Sequence, residues 1–338
     1  MACCAQALNA TDAQGSLRIV PDHYPTIQAA IVASAPAGDT VLIRSGTYYE
    51  LLDFQEKAIV LTSESGPEST VIDGGGNPGS VAKLRDVGEQ GVLRGFTLRG
   101  GTGTLWHGTR SGGGVIVLET LGLSGQGPII EGNWIIGNTA GCGGGVLVEG
   151  AARILRNRIL DNTATESGGG LFVEAFITPN SNPRVVQENE ICGCAAFGPD
   201  GAGGVTIAGS GFFNLQTIFT RNIVACNQAA LGPPGMRIAG TGPGNLVEGN
   251  TIFANQGASS AGAVSLVYGS DSHITFRANA VVYNFASGVR CYVAPGGHPS
   301  FECNDIHGNA PANFVDDQCG PVWGVNNNFN ADPMFGQA

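Results

Sequence analysis

Asn133-Trp134-Ile135-Ile136-Gly137-Asn138-Thr139-Ala140 is followed 24 residues later by Asn157-Arg158-Ile159-Leu160-Asp161-Asn162-Thr163-Ala164. In both copies an Asn, four residues and a second Asn enclose an aliphatic residue, Ile135 or Ile159, two positions after the first Asn. The frame recurs at Asn222/Asn227, Asn250/Asn255, Asn279/Asn284 and Asn304/Asn309. A seventh copy starts at Asn189 and carries Cys194 in the second slot, and an eighth aligns with Gly95/Gly100. The six steps from Asn133 to Asn304 average 28.5 residues, and 13 of the 24 asparagines fall in this one register, which chance enrichment does not produce.

Outward from the frame, the position three residues before each first Asn or Gly is apolar: Val92, Ile130, Ile154, Val186, Phe219, Val247, Phe276 and Phe301. After most copies a glycine cluster leads a short alternating strand, as in Gly112–Leu118, Gly143–Val148 and Gly203–Ile207. Val146 and Val148 fall on one face of such a strand, Leu147 and Glu149 on the other. Three short strands per turn, with one apolar position of each always facing the same way, predict an all-β parallel β-helix of roughly ten coils. Asn is expected at its corners because it tolerates the left-handed backbone, and stacked amides can hydrogen-bond along the axis. Gly95 and Gly100 are expected there for the same backbone reason.

The open end of such a coil exposes strand edge and needs a cover. Tyr24-Pro25-Thr26-Ile27-Gln28-Ala29-Ala30-Ile31-Val32 predicts a short capping helix with Ile27 and Ile31 facing the core, ahead of a first strand at Thr40–Ile43. The expected organisation is a tail over 1–16 that reads as the remnant of an export signal (Ala5-Gln6-Ala7), then one β-helix domain over 17–338. Within that domain the N-cap covers about 17–39, the repeats about 40–312, and a C-terminal cover that drops the repeat about 313–338.

The 338 residues include 54 glycines, where an average chain has ~7%. Collagen is excluded because the glycines lack a three-residue period, and disorder because 42% of the chain is hydrophobic. A net charge of −11, with Lys57 and Lys83 as the two lysines, argues against nucleic acid as a partner. The longest uncharged run, Gly201–Thr220, is interrupted by polar residues and predicts no transmembrane segment. The nine cysteines include no pair of C-x-x-C motifs. If they bridge, Cys303 with Cys319 or with Cys291 are the nearest partners in sequence, and oligomeric state stays open.

Pro25-Thr26-Ile27-Gln28-Ala29-Ala30-Ile31, Gly38-Asp39-Thr40-Val41, Gly46-Thr47-Tyr48-Tyr49-Glu50 and Thr70-Val71-Ile72-Asp73-Gly74 together resemble the opening of pectin methylesterases and other pectate-lyase-like right-handed β-helix proteins. Asn138-Thr139-Ala140 before Gly143-Gly144-Gly145, and Asn162-Thr163-Ala164 before Gly168-Gly169-Gly170, are similar to repeats of polymorphic outer-membrane proteins. Asn330-Ala331-Asp332-Pro333-Met334-Phe335 resembles the last coil of such exported proteins. The resemblance implies a right-handed coil and a secreted or cell-surface location, on a scaffold that hosts many activities. The catalytic motifs of these enzymes are missing: Asp53-Phe54 lies in the wrong part of the chain for an esterase, and Asp316-Asp317 stands alone, beyond the repeats.

The insertion after Gly100 brings Trp106, His107 and Arg110 together in sequence, a sugar platform with a cation beside it or a loop packed down on the coil. Outward positions of the glycine-led strands read Ile116, Leu147, Phe172, Thr206, Arg237, Ser265, Arg290, with an acidic row of Glu119, Glu149 and Glu174 two positions on. That row is a solvated face, an acid–base pair, or oxygen ligands for calcium. His273, His298 and Asp305/His307 match no metal spacing. The preferred expectation is a protein binding polysaccharide or a surface glycan through Trp106, Phe172, Glu149, Glu174, Arg237 and Arg290. The alternatives are a polysaccharide lyase or hydrolase, with His107 and Arg110 as the candidate catalytic pair, and a structural rod.

Overall fold

The computed structural model describes residues 15–120, 125–175, 182–199, 201–209, 216–239, 244–258, 260–268, 273–293, 299–315, 319 and 326–333. Cys3, Cys4, the Ala5–Ala7 segment, His298, Asp316-Asp317 and Met334-Phe335 lie outside the described residues. The chain winds as an all-β parallel solenoid of about eight turns, fewer than the ten expected. Leu17–Val20 adds a rung to the first sheet at one end; at the other, Ser300–Glu302 and Asp305–His307 add rungs to the first and second sheets, and Phe314 then bridges back to Val289 of the third. Three long sheets form the faces: a first of 11 strands, a second of ten and a third of nine. A fourth sheet of six strands widens the middle coils. Among the described residues every pairing within these sheets is parallel except Thr104–Trp106 with Thr109–Ser111.

Register places Leu98, Ile135, Ile159, Ile191, Val224, Ile252, Val281 and Ile306 in one buried column of the second sheet. Each such side chain contributes roughly 1.5–3 kcal/mol when fully buried. The Gly95/Gly100 copy is corrected by one residue: Arg94 pairs with Glu131 and Thr97 with Trp134, so Gly95 aligns with Gly132 and Phe96 with Asn133. The aliphatic slot of that coil is then Leu98, not Thr97, and the preceding core slot is Leu93, not Val92.

That shift also corrects the role of Asn. The left-handed backbone belongs to the residue before it, as at Gly132 (φ 61), Arg156 (φ 52), Asp161 (φ 53) and Arg221 (φ 55). The Asn side chain instead points inward and is buried. The backbone N–H and Nδ2 of Asn157 both donate to Oδ1 of Asn189, at 2.9 and 3.1 Å, while Nδ2 also donates to the Ile130 carbonyl at 2.8 Å. Asn189, Asn222, Asn250, Asn279 and Asn304 repeat the pattern rung by rung. The interior corner is thus polar and hydrogen-bonded, which is what burial of an amide requires.

The glycine clusters have a second origin. A Cβ on Gly144 would lie 2.4 Å from the Thr163 carbonyl oxygen and 2.5 Å from that of Gly169. These glycines lead the third-sheet strands because neighbouring coils touch backbone to backbone there. They are buried against the next coil, so they offer no flat outer surface to a ligand.

The capping helix is Ile27–Ala33, with Ile27, Ala30 and Ile31 buried on the core. Thr26 accepts from the Ala29 N–H, Glu50 accepts from Ile27 and Gln28, and Lys57 donates to the carbonyls of Ile31, Val32 and Ser34. Both helix ends are therefore satisfied. The first strand is Leu17–Val20, paired with Ala37–Ile43, so the helix is spliced between two rungs of one sheet. At the other end the Asn columns continue into the cover, where Asn304 donates to Asn328 and Asn309 to Asn313. The altered spacing there hides this continuation in the sequence. The disulfide joins Cys291 to Cys319, not Cys303 to either. Cys291 faces inward, whereas Cys303 sits exposed at a left-handed corner.

Candidate functional site

The outer face of the third sheet collects the candidate residues. Ile116, Leu147, Phe172, Thr206, Arg237, Ser265 and Arg290 lie in strict register on consecutive rungs. On the acidic row Glu149 pairs with Glu174, but the preceding rung supplies Leu118 and not Glu119. Glu119 sits one residue further on and accepts from the Ala151 N–H at 2.9 Å.

The insertion is a two-stranded hairpin, Thr104–Trp106 with Thr109–Ser111, turning at His107 (φ 48) and Gly108 (φ 86). Two successive positive φ values are those of the tight turn that matches strand twist. Its second strand pairs in parallel with Thr139–Cys142 and so becomes the first parallel rung of the fourth sheet. The hairpin lays Trp106 on an apolar cluster of Ile116, Leu118, Leu147 and Phe172, all at most 8% exposed. Trp106 Nε1 donates to Glu149 Oε2, and His107 Nε2 stands 3.7 Å from Glu149 Oε1. Trp106 therefore packs down as the cover of an outer core. Arg110 donates to the Gly103 carbonyl at 3.0 Å, so His107 and Arg110 are engaged with different partners.

Beside this cover is a residue sequence reasoning missed. Arg184 is 2% exposed, and desolvation pushes its guanidinium down to about 10 against the opposing pull of Glu119, Glu149 and Glu174. Glu174 is raised above the ordinary carboxyl range by burial first and by the Glu149 charge second, with His107 and Arg184 opposing. The signal was available: Arg184 stands two residues before the inward Val186, and period-two alternation points it inward. Among the described residues no group of three or more His, Cys, Asp or Glu side chains is arranged to hold a metal ion.

Past Phe172 the same face carries two cavities around the half-buried Arg237. A cavity of about 340 Å³ is bounded by Phe172, Thr206, Arg237, Pro199, Ser167 and neighbouring residues. A second of about 240 Å³ is bounded by Arg237, Ser265, Tyr292, Pro199 and Leu231, among others. The two share Pro199 and Arg237 and form one trough across the rungs. Arg237 has no ion pair among the described residues. On the first and second sheets, by contrast, Arg94, Arg156, Arg221 and Arg277, and Arg99 and Arg158, all pair with carboxylates. Arg290 stacks 4.3 Å from the Tyr292 ring and donates to the Ser260 carbonyl, so it braces the trough's far wall.

The structure thus brings Trp106, Phe172, Glu149 and Glu174 into one packed unit, puts Arg237 in the trough, and fixes Arg290 at its end. Among the described residues no helix is long and apolar enough to cross a membrane. No protein-family model and no curated protein matches the chain.

Proposed function

We propose that the chain binds polysaccharide, such as a cell-surface glycan, along the open part of the third sheet's outer face. The observation that carries this reading is Arg237, an arginine without an ion-pair partner among the described residues, which lines both halves of the trough. Thr206 and Ser265 on the neighbouring rungs are buried beside it and form the trough's floor, with the Thr206 hydroxyl bonded to Ser167 Oγ at 2.7 Å. Phe172 and Tyr292 stand four rungs apart, about 19 Å at the usual strand spacing, which is the scale of several sugar rings. The exposed Tyr292 ring suits a pyranose C–H face, and a guanidinium suits paired oxygens, whether hydroxyl, carboxylate or sulfate. An exported or cell-surface location belongs to the same proposal and is supported by the Cys291–Cys319 disulfide, a bond that persists in oxidising compartments.

Affinity electrophoresis and calorimetry against a panel of neutral and acidic polysaccharides test the reading. Binding is expected for at least one polymer, weakened about tenfold or more by Arg237→Ala, in line with the ~1.4 kcal/mol of a charge-assisted contact. Absence of binding to any polymer at millimolar sugar, or undiminished binding by the variant, sinks it. His107 and Arg110, the pair a lyase would use, engage Glu149 and the Gly103 carbonyl respectively.

A further inference from the structure

We infer that Cys192 and Cys226 form a cross-link site: under oxidising conditions they close a second disulfide, tying two consecutive coils together at the middle of the solenoid. Cys192 ends the strand Glu190–Cys192, and its register partner on the next coil is Ala225, the residue before Cys226. The pair is therefore a diagonal across one strand spacing and one residue rise. With ~4.8 Å between strands and ~3.3 Å along them, the Cα separation is about 6 Å, inside the range disulfides adopt. Both side chains are on the outer side of the second sheet, Cys226 exposed and Cys192 half-buried, and the two thiols are close enough for Cys226 to act on the Cys192 thiol. Cys226 occupies the left-handed corner position (φ 56), where other coils place Gly137, Asp161, Gly193, Ala254, Tyr283 and Gly308. Nothing about the corner itself calls for sulfur.

The chemistry balances with a low-molecular-weight disulfide as oxidant. The thiolate of exposed Cys226 attacks one sulfur of RS–SR, breaking that S–S bond and releasing one thiol, which takes up a proton. Cys192 then gives up its proton and attacks the Cys226 sulfur, and the second RS group leaves as thiol. Two protein thiols are oxidised and one small disulfide is reduced to two thiols. Cys192 suits the resolving role because burial, aided by Cys226, Glu190 and Asp161, pushes its thiol up to about 11, so it does not react first. Cys194, two residues away, is fully buried in the Asn column, with its sulfur against the Ile159 carbonyl, and is shielded from the oxidant.

The experiment incubates the full-length protein with oxidised glutathione at mildly alkaline pH, quenches with acid, alkylates the remaining thiols and maps tryptic peptides. The expected result is the Val185–Arg221 peptide joined to Asn222–Arg237 and an intact mass lower by about 2 Da. The link should be lost in Cys192→Ser and in Cys226→Ser, retained in Cys194→Asn, and accompanied by a melting temperature several degrees higher. The inference is overturned if Cys192 and Cys226 are both recovered alkylated while Cys291–Cys319 is intact. It is equally overturned if the link survives Cys192→Ser, which would assign it to Cys194, or if it joins two chains. Peptide mapping of the unaltered chain decides the matter even where a variant misfolds.

Discussion

One sheet face does two different jobs along its length. In the early coils its outward column is Ile116, Leu147 and Phe172, sealed under Trp106 of the hairpin as a small second core. In the later coils the same column is Thr206, Arg237 and Ser265: Thr206 and Ser265 are buried at the trough's floor, and the half-buried Arg237 is the member that reaches into it. Backbone register is identical in both halves, so the difference lies in what covers the rungs. A position in a repeat sets the direction in which a side chain points. Whether that direction is interior or solvent depends on an insertion made elsewhere in the chain.

The comparison breaks most sharply at Leu147. It is 1% exposed although it points away from the main core, and Leu147→Ala should cost about 2–4 kcal/mol, measured by denaturant unfolding. An outward residue with no cover would lose under about 0.5 kcal/mol, so a loss that small would show that the hairpin does not seal the face. Trp106→Phe keeps most of the apolar cover but removes the donor to Glu149, whose Oε1 already lacks a hydrogen-bond partner among the described residues. A loss of about 1–3 kcal/mol is expected.

Glu174 gives a smaller effect with a definite sign. Its native pKa is raised, so the folded state binds more protons than the unfolded state between the ordinary carboxyl value and the raised one. Stability contributed by the protonated form is fully present below the ordinary value and is lost as pH rises through the native one. Glu174→Gln should remove that decline, so the variant gains on the parent as pH is raised from about 4 to neutrality. A constant difference across this window would mean that Glu174 is not desolvated by the cover. Arg237→Ala, in the open half, should change the unfolding midpoint least of all, under about 0.5 kcal/mol, while abolishing most glycan affinity.

Much of the coil was legible in the primary structure because its inner positions repeat under identical constraints. Ile135, Ile159 and Ile191 fill equivalent slots, and each must fill the same space above and below itself. Misreadings cluster where that logic weakens. Gly95 resembles an Asn-slot residue because both residue types favour left-handed backbone, yet the slot is chosen for a side-chain amide and the left-handed residue precedes it. Arg184 was overlooked because a charged residue inside a solenoid contradicts composition even where alternation demands it. Asn313 and Asn328 continue the columns at spacings that no repeat search rewards.

Periodicity alone therefore specified the solenoid, its three faces and the residues that point out of each. Short-range steric and hydrogen-bonding requirements recur every coil, and a recurring requirement leaves a recurring residue. Folding in three dimensions settled which outward residues are covered, that Trp106 reaches Glu149 from 43 positions away, that Cys291 meets Cys319, and that Arg237 is left facing a trough. Each of these depends on the path of a single non-repeating segment, and a contact made once leaves no period to read.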